Sequence, residues 1–191
     1  MKLTLITLSL IISLCNVSAV IATSMLPLSL EQLSTRADLI FYGKVINNQV
    51  KQDEQSGAIA TYTTFSIIDL IKGNTGDTHT IKQLGGFLKD QNFGMRIHGV
   101  PTFQVGNDYI IFLPEKSTLG FSSPLGLHQG SFSVSMDNDE LIVSNGRRLN
   151  NPPVAKQAKT AIQIPLAVRA DKPSQARLDD FVNTVRSHSI Q

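Results

Sequence analysis

Residues 61–73, TYTTFSIIDLIKG, decide the fold. Their Thr, Tyr, Phe and Ile side chains suit a pleated, half-buried strand, because β-branched and aromatic groups pack well on that surface. Alternation places Thr63, Phe65, Ile67 and Ile71 on one face and Tyr62, Ile68 and Leu70 on the other. A strand apolar on one side only would alternate cleanly, whereas here the apolar side changes at Ile67-Ile68. A bulge at that point accounts for the change, as does a long coiled strand shared between two parts of a barrel. Lys72-Gly73 ends the run, and residues 74–77, NTGD, read as a turn.

The neighbouring segments are read outward from this strand. Residues 38–50 predict a first long strand, with Leu39, Phe41, Gly43 and Val45 on one face and Ile40, Tyr42 and Ile46 on the other. Gly43 inside a strand marks a sharp bend or a close backbone approach, as at a barrel corner. Residues 51–58, KQDEQSGA, predict an exposed hairpin loop in which Asp53-Glu54 are solvated. Residues 78–84 follow as a third strand. Residues 109–113, YIIFL, make the continuous apolar run expected of a strand buried on both faces, and Pro114 ends it. Residues 126–136 alternate again, and residues 137–140 read as a hairpin turn before a return strand over 141–143. Ser29 and Gln32 have the spacing of a capping box, which predicts a short helix over 29–37 with Leu30 and Leu33 facing inward. Leu178, Phe181, Val182 and Val185 recur at helical spacing after Ser174, an expected N-cap, and predict a helix over 174–188.

These readings predict a mainly β protein. An OB-like antiparallel β-barrel is expected over residues 23–144, with a short N-terminal helix. A basic extended arm over 145–173 and a C-terminal helix over 174–191 complete the chain. The barrel core is expected at Leu39, Phe41, Val45, Phe65, Ile67, Ile110, Phe112, Phe132 and Val134. Strand edges at 78–84 and 141–143 are expected to be open to pairing between chains.

The chain has 191 residues, 41% hydrophobic and 17% charged, which is the composition of a globular protein with room for one substantial core. Its net charge of +2 does not by itself call for a nucleic-acid or membrane partner. Residues 1–22 predict a signal peptide: Lys2 supplies the positive start, and the apolar run over 3–14 is too short to span a bilayer. Small residues before Val20 and Thr23 offer two cleavage sites. The mature chain would then lose Cys15, the only cysteine, and with it any disulfide or thiol nucleophile. The Asn-x-Ser/Thr pattern occurs only at Asn16-Val17-Ser18, inside the leader. An exported protein without disulfides or glycosylation sites fits a bacterial envelope, in the periplasm or outside the cell.

Catalytic signatures are sparse. His79, His98, His128 and His188 show no i, i+4 pairing, and neither a G-x-S-x-G elbow nor a phosphate-binding glycine loop occurs. No cofactor and no metal site is expected. Residues 85–107 stand out instead, with Gly85, Gly86, Gly94, Gly99, Pro101 and Gly106 in one long irregular stretch. Phe87, Phe93, Arg96, His98 and Phe103 within it suit a binding lip, although a lid that only covers the barrel end would look the same. Arg147 and Arg148 begin the basic arm. They offer a second contact surface, for an anionic partner, or else belong to a solvated tail.

Three stretches carry a family resemblance: ADLIFYGKV at 37–45, TFSIIDLIKG at 64–73 and GNDYIIFL at 106–113. Their order resembles the tissue inhibitors of metalloproteinases and the wider netrin-like modules, across about residues 37–134. The chain also resembles small exported bacterial proteins. The resemblance implies an OB-type five-stranded barrel and a binding surface. The animal inhibitors bind the protease zinc through an N-terminal cysteine, which this chain would lack after processing, so no residue here inherits that role. The expected function is therefore an exported, non-catalytic binding protein whose partner is another protein, a protease or an envelope component. One alternative is a secreted hydrolase with a site assembled from His98, His128 and scattered acids. Another is a surface protein that holds an anionic polymer on its basic arm. No nucleic acid and no integral membrane span are expected.

The leader reading predicts processing between Ala19 and Ser24. N-terminal sequencing of the exported protein checks it, and a mature chain that keeps the apolar run over 3–14 contradicts it.

Overall fold

Ser29 begins the first regular element as its spacing predicts. Its hydroxyl accepts from the Gln32 N–H at 3.1 Å, and the Gln32 side chain accepts from the Ser29 N–H at 3.1 Å. This capping box starts helix α1, Leu30–Arg36, in a computed structural model that describes residues 26–149, 166–169 and 172–189. The expected leader and residues 150–165 of the basic arm lie outside the described residues. From α1 the chain runs through Ala37 directly into β1, Leu39–Gln52.

β1 pairs antiparallel with β2, Ile59–Lys72, and the register steps where the sequence changes its apolar side. Tyr42 opposes Asp69 and Gly43 opposes Ile67, so Ile68 is the extra residue of a bulge. One inserted residue reverses the inside and outside of everything beyond it. Ile67 and Ile71, which simple alternation puts on one face, accordingly pack into different cores.

β3, Thr78–Leu84, continues outward from β2, and β6, Asp108–Leu113, pairs with the other side of β1. β7, Ser131–Asp137, and β8, Glu140–Ser144, form a hairpin turning through Asn138 and Asp139 at φ +49° and +62°. β9, Gln175–Arg177, closes the order β3-β2-β1-β6-β7-β8-β9 in one seven-stranded antiparallel sheet. A small hairpin of β4, Gly86–Leu88, and β5, Phe93–Met95, stands apart from it.

The sheet does not close into the expected barrel, and β3 and β9 remain its two ends. The reason is visible in the core. A barrel has one interior, but β1 and β6 are apolar on both faces and need two covers. Ile40, Tyr42, Ile110, Phe112, Phe132 and Val134 lie beneath α1 and helix α2, Leu178–Ser189. Leu39, Phe41, Val45, Phe65, Ile81 and Ile111 pack on the opposite face with Phe103. The single core expected from sequence is thus two cores back to back.

The C-terminal helix buries Phe181, Val182 and Val185, the residues its periodicity singled out. It starts later than expected. Ser174 is not its N-cap; residues 175–177 extend as β9, and the Ser174 carbonyl accepts from the Ser144 hydroxyl at 2.8 Å. β9 covers β8, so residues 141–143 are not a free edge. The β3 edge is partly occupied too, because the Lys82 carbonyl accepts from the Ser122 N–H at 2.9 Å. Arg186 of α2 clamps both Asp69 oxygens of β2 at 2.6 and 2.9 Å.

The stretches behind the family resemblance meet along the first half of β1, where they serve the sheet. Lys72 donates to the Ser34 and Thr35 carbonyls at 2.8 and 3.1 Å, placing a cation on the C-terminal end of α1. Gly73, at φ +85°, passes so close to Asp38 that a Cβ there would lie 2.3 Å from the Asp38 carbonyl oxygen. Asp38 in turn donates its N–H to the Leu113 carbonyl and accepts from the Glu115 N–H. Tyr42 donates to Asp108 at 3.2 Å; burial and that carboxylate push its hydroxyl up to about 12.

Phe112 and Phe65 are fully buried on opposite faces of the sheet. Truncating either to Ala is expected to destabilise the fold by about 3–5 kcal/mol, the usual cost for a buried Phe. Urea unfolding measures it, and a variant that unfolds with the parent contradicts the two-core description.

Candidate functional site

Residues 85–103 are more ordered than their glycine content suggests, and they turn back onto the sheet. Gly86, at φ +146°, allows the turn: a Cβ there would sit 2.5 Å from Val50 Cγ1 and 2.7 Å from Thr61 Oγ1. Thr61 fastens the start of the segment by donating to the Gly85 carbonyl at 2.7 Å. The chain then forms the β4–β5 hairpin around a 3₁₀ turn, Lys89–Gln91, with Asn92 left-handed at φ +47°. Gly94 opposes Phe87, and a Cβ on Gly94 would lie 2.6 Å from the Phe87 ring.

A groove of about 770 Å³ lies between this segment and the sheet. Its floor is a cross-strand patch in which Val50 opposes Thr61, Thr61 opposes Gln83, and Asn48 opposes Thr63. Its walls are Phe87 and the chain from Met95 through Phe103. Four of the predicted binding residues, Phe87, Arg96, His98 and Phe103, line it. Phe93 does not; it sits on the hairpin outside the groove, 61% exposed. Phe103 belongs as much to the core as to the wall, with its ring edge-on to Phe65 at 5.3 Å and Tyr109 at 5.1 Å. Arg147 and Arg148 line a separate small hollow beside Leu28 and Leu149. The two predicted surfaces are therefore distinct.

The polar groups of the groove are unevenly satisfied. Asn48 donates to the Phe103 carbonyl at 2.6 Å and holds the wall to the floor. Gln83, buried, reaches the Pro101 carbonyl at 3.4 Å, a long contact. Thr63 is 1% exposed, and its hydroxyl has no partner. Arg96 and His98 are exposed and make no hydrogen bond or ion pair among the described residues. No Asp or Glu lines the groove. His128 lies on a separate 3₁₀ turn, Leu127–Gly130, and is not among the lining residues, so the groove unites neither His128 nor an acid with His98. No group of three His, Cys, Asp or Glu suited to a metal occurs among the described residues.

One acid lies where its polar surroundings in the sequence do not suggest. Asp53, expected in solvent, is 5% exposed at the β1–β2 tip. Lys82 approaches it at 2.6 Å, Ser56 donates through its hydroxyl and N–H at 2.7 and 2.9 Å, and the Tyr62 hydroxyl donates as well. The Lys82, Ser56 and Tyr62 hydrogen bonds hold the Asp53 carboxyl well below the usual carboxylate range. Donation to Asp53, more than burial, pushes the Tyr62 hydroxyl up to about 12. The cluster ties the hairpin tip to β3, with Tyr62 and Lys82 on the face of the strands opposite the groove floor. The cluster's sequence signal was Asp53 at the head of a Ser- and Gly-containing turn, where a carboxylate can accept from backbone N–H groups just ahead of it. Lys82 was not legible, because it reaches Asp53 from a paired strand.

A comparison with protein-family models and with curated proteins finds no match.

Burial, then Lys116, lowers the proton affinity of His79, whose Nδ1 faces the Thr75 hydroxyl at 2.9 Å. A depressed histidine stabilises the fold above its unfolded pKa of about 6.5 and loses that contribution as pH falls toward its folded value. Asp53 and Asp137, both depressed, behave alike below about 4. The urea midpoint is expected to drop in two stages on acidification, with the first absent in His79→Phe. A midpoint that rises from pH 7 to 5 contradicts this.

Proposed function

We propose that this is an exported, non-catalytic binding protein that recognises another polypeptide through the groove and the β4–β5 hairpin. The observation that carries this reading is the groove itself. Its size is that of a ligand-binding cleft, Phe87, Val100, Pro101 and Phe103 give it an apolar wall, and Arg96, His98 and the Thr63 hydroxyl are left there without partners among the described residues. Phe87 and Phe93, 53% and 61% exposed, extend an apolar surface past its mouth. Aromatic and Arg side chains are the types that dominate protein interfaces, and Arg96 lines the groove together with Phe87. The resemblance to metalloproteinase inhibitors supports a protease as the partner, with an envelope component the other choice. The leader-like N-terminus supports export, to the periplasm or beyond the cell. No described helix is long and apolar enough to cross a membrane.

The anionic-polymer reading has less behind it. Arg169 and Lys172 of the basic arm are already paired with Asp137, at 3.0 and 2.9 Å. Arg147 and Arg148 border only the small hollow.

A photo-crosslinking residue in place of Phe87, in the full chain expressed in its cell of origin, is expected to give an adduct with one polypeptide. The same residue at Met136, exposed on β7, is not. Against the captured partner, the Phe93→Ala/Arg96→Ala variant should lose about thirtyfold in affinity, near 2 kcal/mol, with its melting temperature unchanged. Charge reversal at Arg147 and Arg148 should change mainly on-rate and salt dependence. No adduct at position 87, or affinity lost in the arm variant alone, overturns the reading.

A further inference from the structure

We propose that the groove captures the C-terminus of a partner chain: an apolar last residue with its free carboxylate at Arg96. This rests on the groove being a polypeptide-binding site and names the part of the partner that enters it. Three observations select that chemistry. The first is charge. Among the residues lining the groove the ionisable ones are Arg96 and His98, neither is paired, and no acid is present. An anionic group meets a donor there with no competing carboxylate, and a guanidinium matches a carboxylate in two-point geometry. The second is the floor. The Thr63 hydroxyl is buried in a groove-lining residue without a partner, and Gln83 beside it has only a long contact. A hydrocarbon chain laid on that floor would leave the hydroxyl unsatisfied, whereas the amides of a peptide can supply what it lacks. The third is the wall. Val100, Pro101 and Phe103 are apolar and held in place, Phe103 by the core rings and by Asn48. They form a surface for one apolar side chain. Amides over polar floor groups, an apolar side chain against a fixed wall and a terminal carboxylate at a free Arg are together the chemistry of a chain end.

Isothermal titration of the full chain with N-acetyl-Ala-Ala-Leu and N-acetyl-Ala-Ala-Phe, each as free acid and as carboxamide, tests the inference. The acids are expected to bind about tenfold tighter than the amides, the loss typical of removing a charge-assisted contact. Arg96→Gln should bring acid and amide within about twofold of each other, and Thr63→Val should weaken both forms by a similar factor, because the hydroxyl serves the amides. Circular dichroism melts confirm that both variants fold, and Arg96→Lys separates loss of charge from loss of two-point geometry. Equal binding of acid and amide overturns the inference, as does a preference that survives Arg96→Gln. Octanoate binding as tightly as the better peptide overturns it in favour of a lipid carboxylate. No peptide binding also overturns it. The crosslink from position 87 does not depend on a carboxylate, so it reports separately whether the polypeptide-binding reading has failed as well.

Discussion

The structure depends on β1 being apolar on both faces while pairing on both edges. Ile40 and Tyr42 look one way, Phe41 and Val45 the other, and all four are buried. Burying each such side chain contributes about 1.5–3 kcal/mol, so neither face can be left in water. One sheet cannot curl over both of its own faces at once. It stays open, with two helices on one side and the long connections between strands on the other. The Lys72–Gly73 junction makes the helical side possible. It brings the end of β2, the end of α1 and the start of β1 to one point, and Gly73 permits an approach that any side chain there would block.

The groove follows from where these covers stop. β1 pairs with β6 only through Lys44, but with β2 as far as Gln52. The outer half of the β1–β2 hairpin therefore projects beyond the helix-covered sheet, and β3 broadens it into a platform. Glycines after β3 let the chain fold back over that platform without filling it. Asn48, Thr61 and the Asp53 cluster hold the returning segment and the hairpin tip in place. The recognition surface is thus fixed from below by strands and by the Asn48 and Thr61 hydrogen bonds, although much of its wall is a connection between elements.

Much of this architecture was legible in local sequence. The capping box at Ser29, the two-faced run at 109–113 and the bulge at Ile67-Ile68 are decided within a few residues of themselves, and each occurs where it was read. What failed was long-range. Nothing near Gln175 says that it will pair with Ser144, so the start of α2 was placed too early. Closure into a barrel was inferred from strands that suit one. Whether they close depends on which surfaces compete to cover each face, and helix α2 settles that from the far end of the chain. At the groove, composition singled out Phe87, Arg96, His98 and Phe103 because Gly, Phe and Arg crowd one connection. Its floor residues, Thr63 and Gln83, were missed as site residues, since on a strand they look like ordinary alternation.

The central claim is that recognition occurs on the β1–β2–β3 face beneath residues 85–103. Methyl-labelled NMR of the full chain bound to its captured partner tests this most directly. The account predicts that the Val50, Thr61, Thr63 and Val100 methyls shift on binding while Val143, Val182 and Val185, beneath the helices, stay in place. Shifts confined to Leu28 and Leu149 around Arg147, with the groove methyls unmoved, would contradict it.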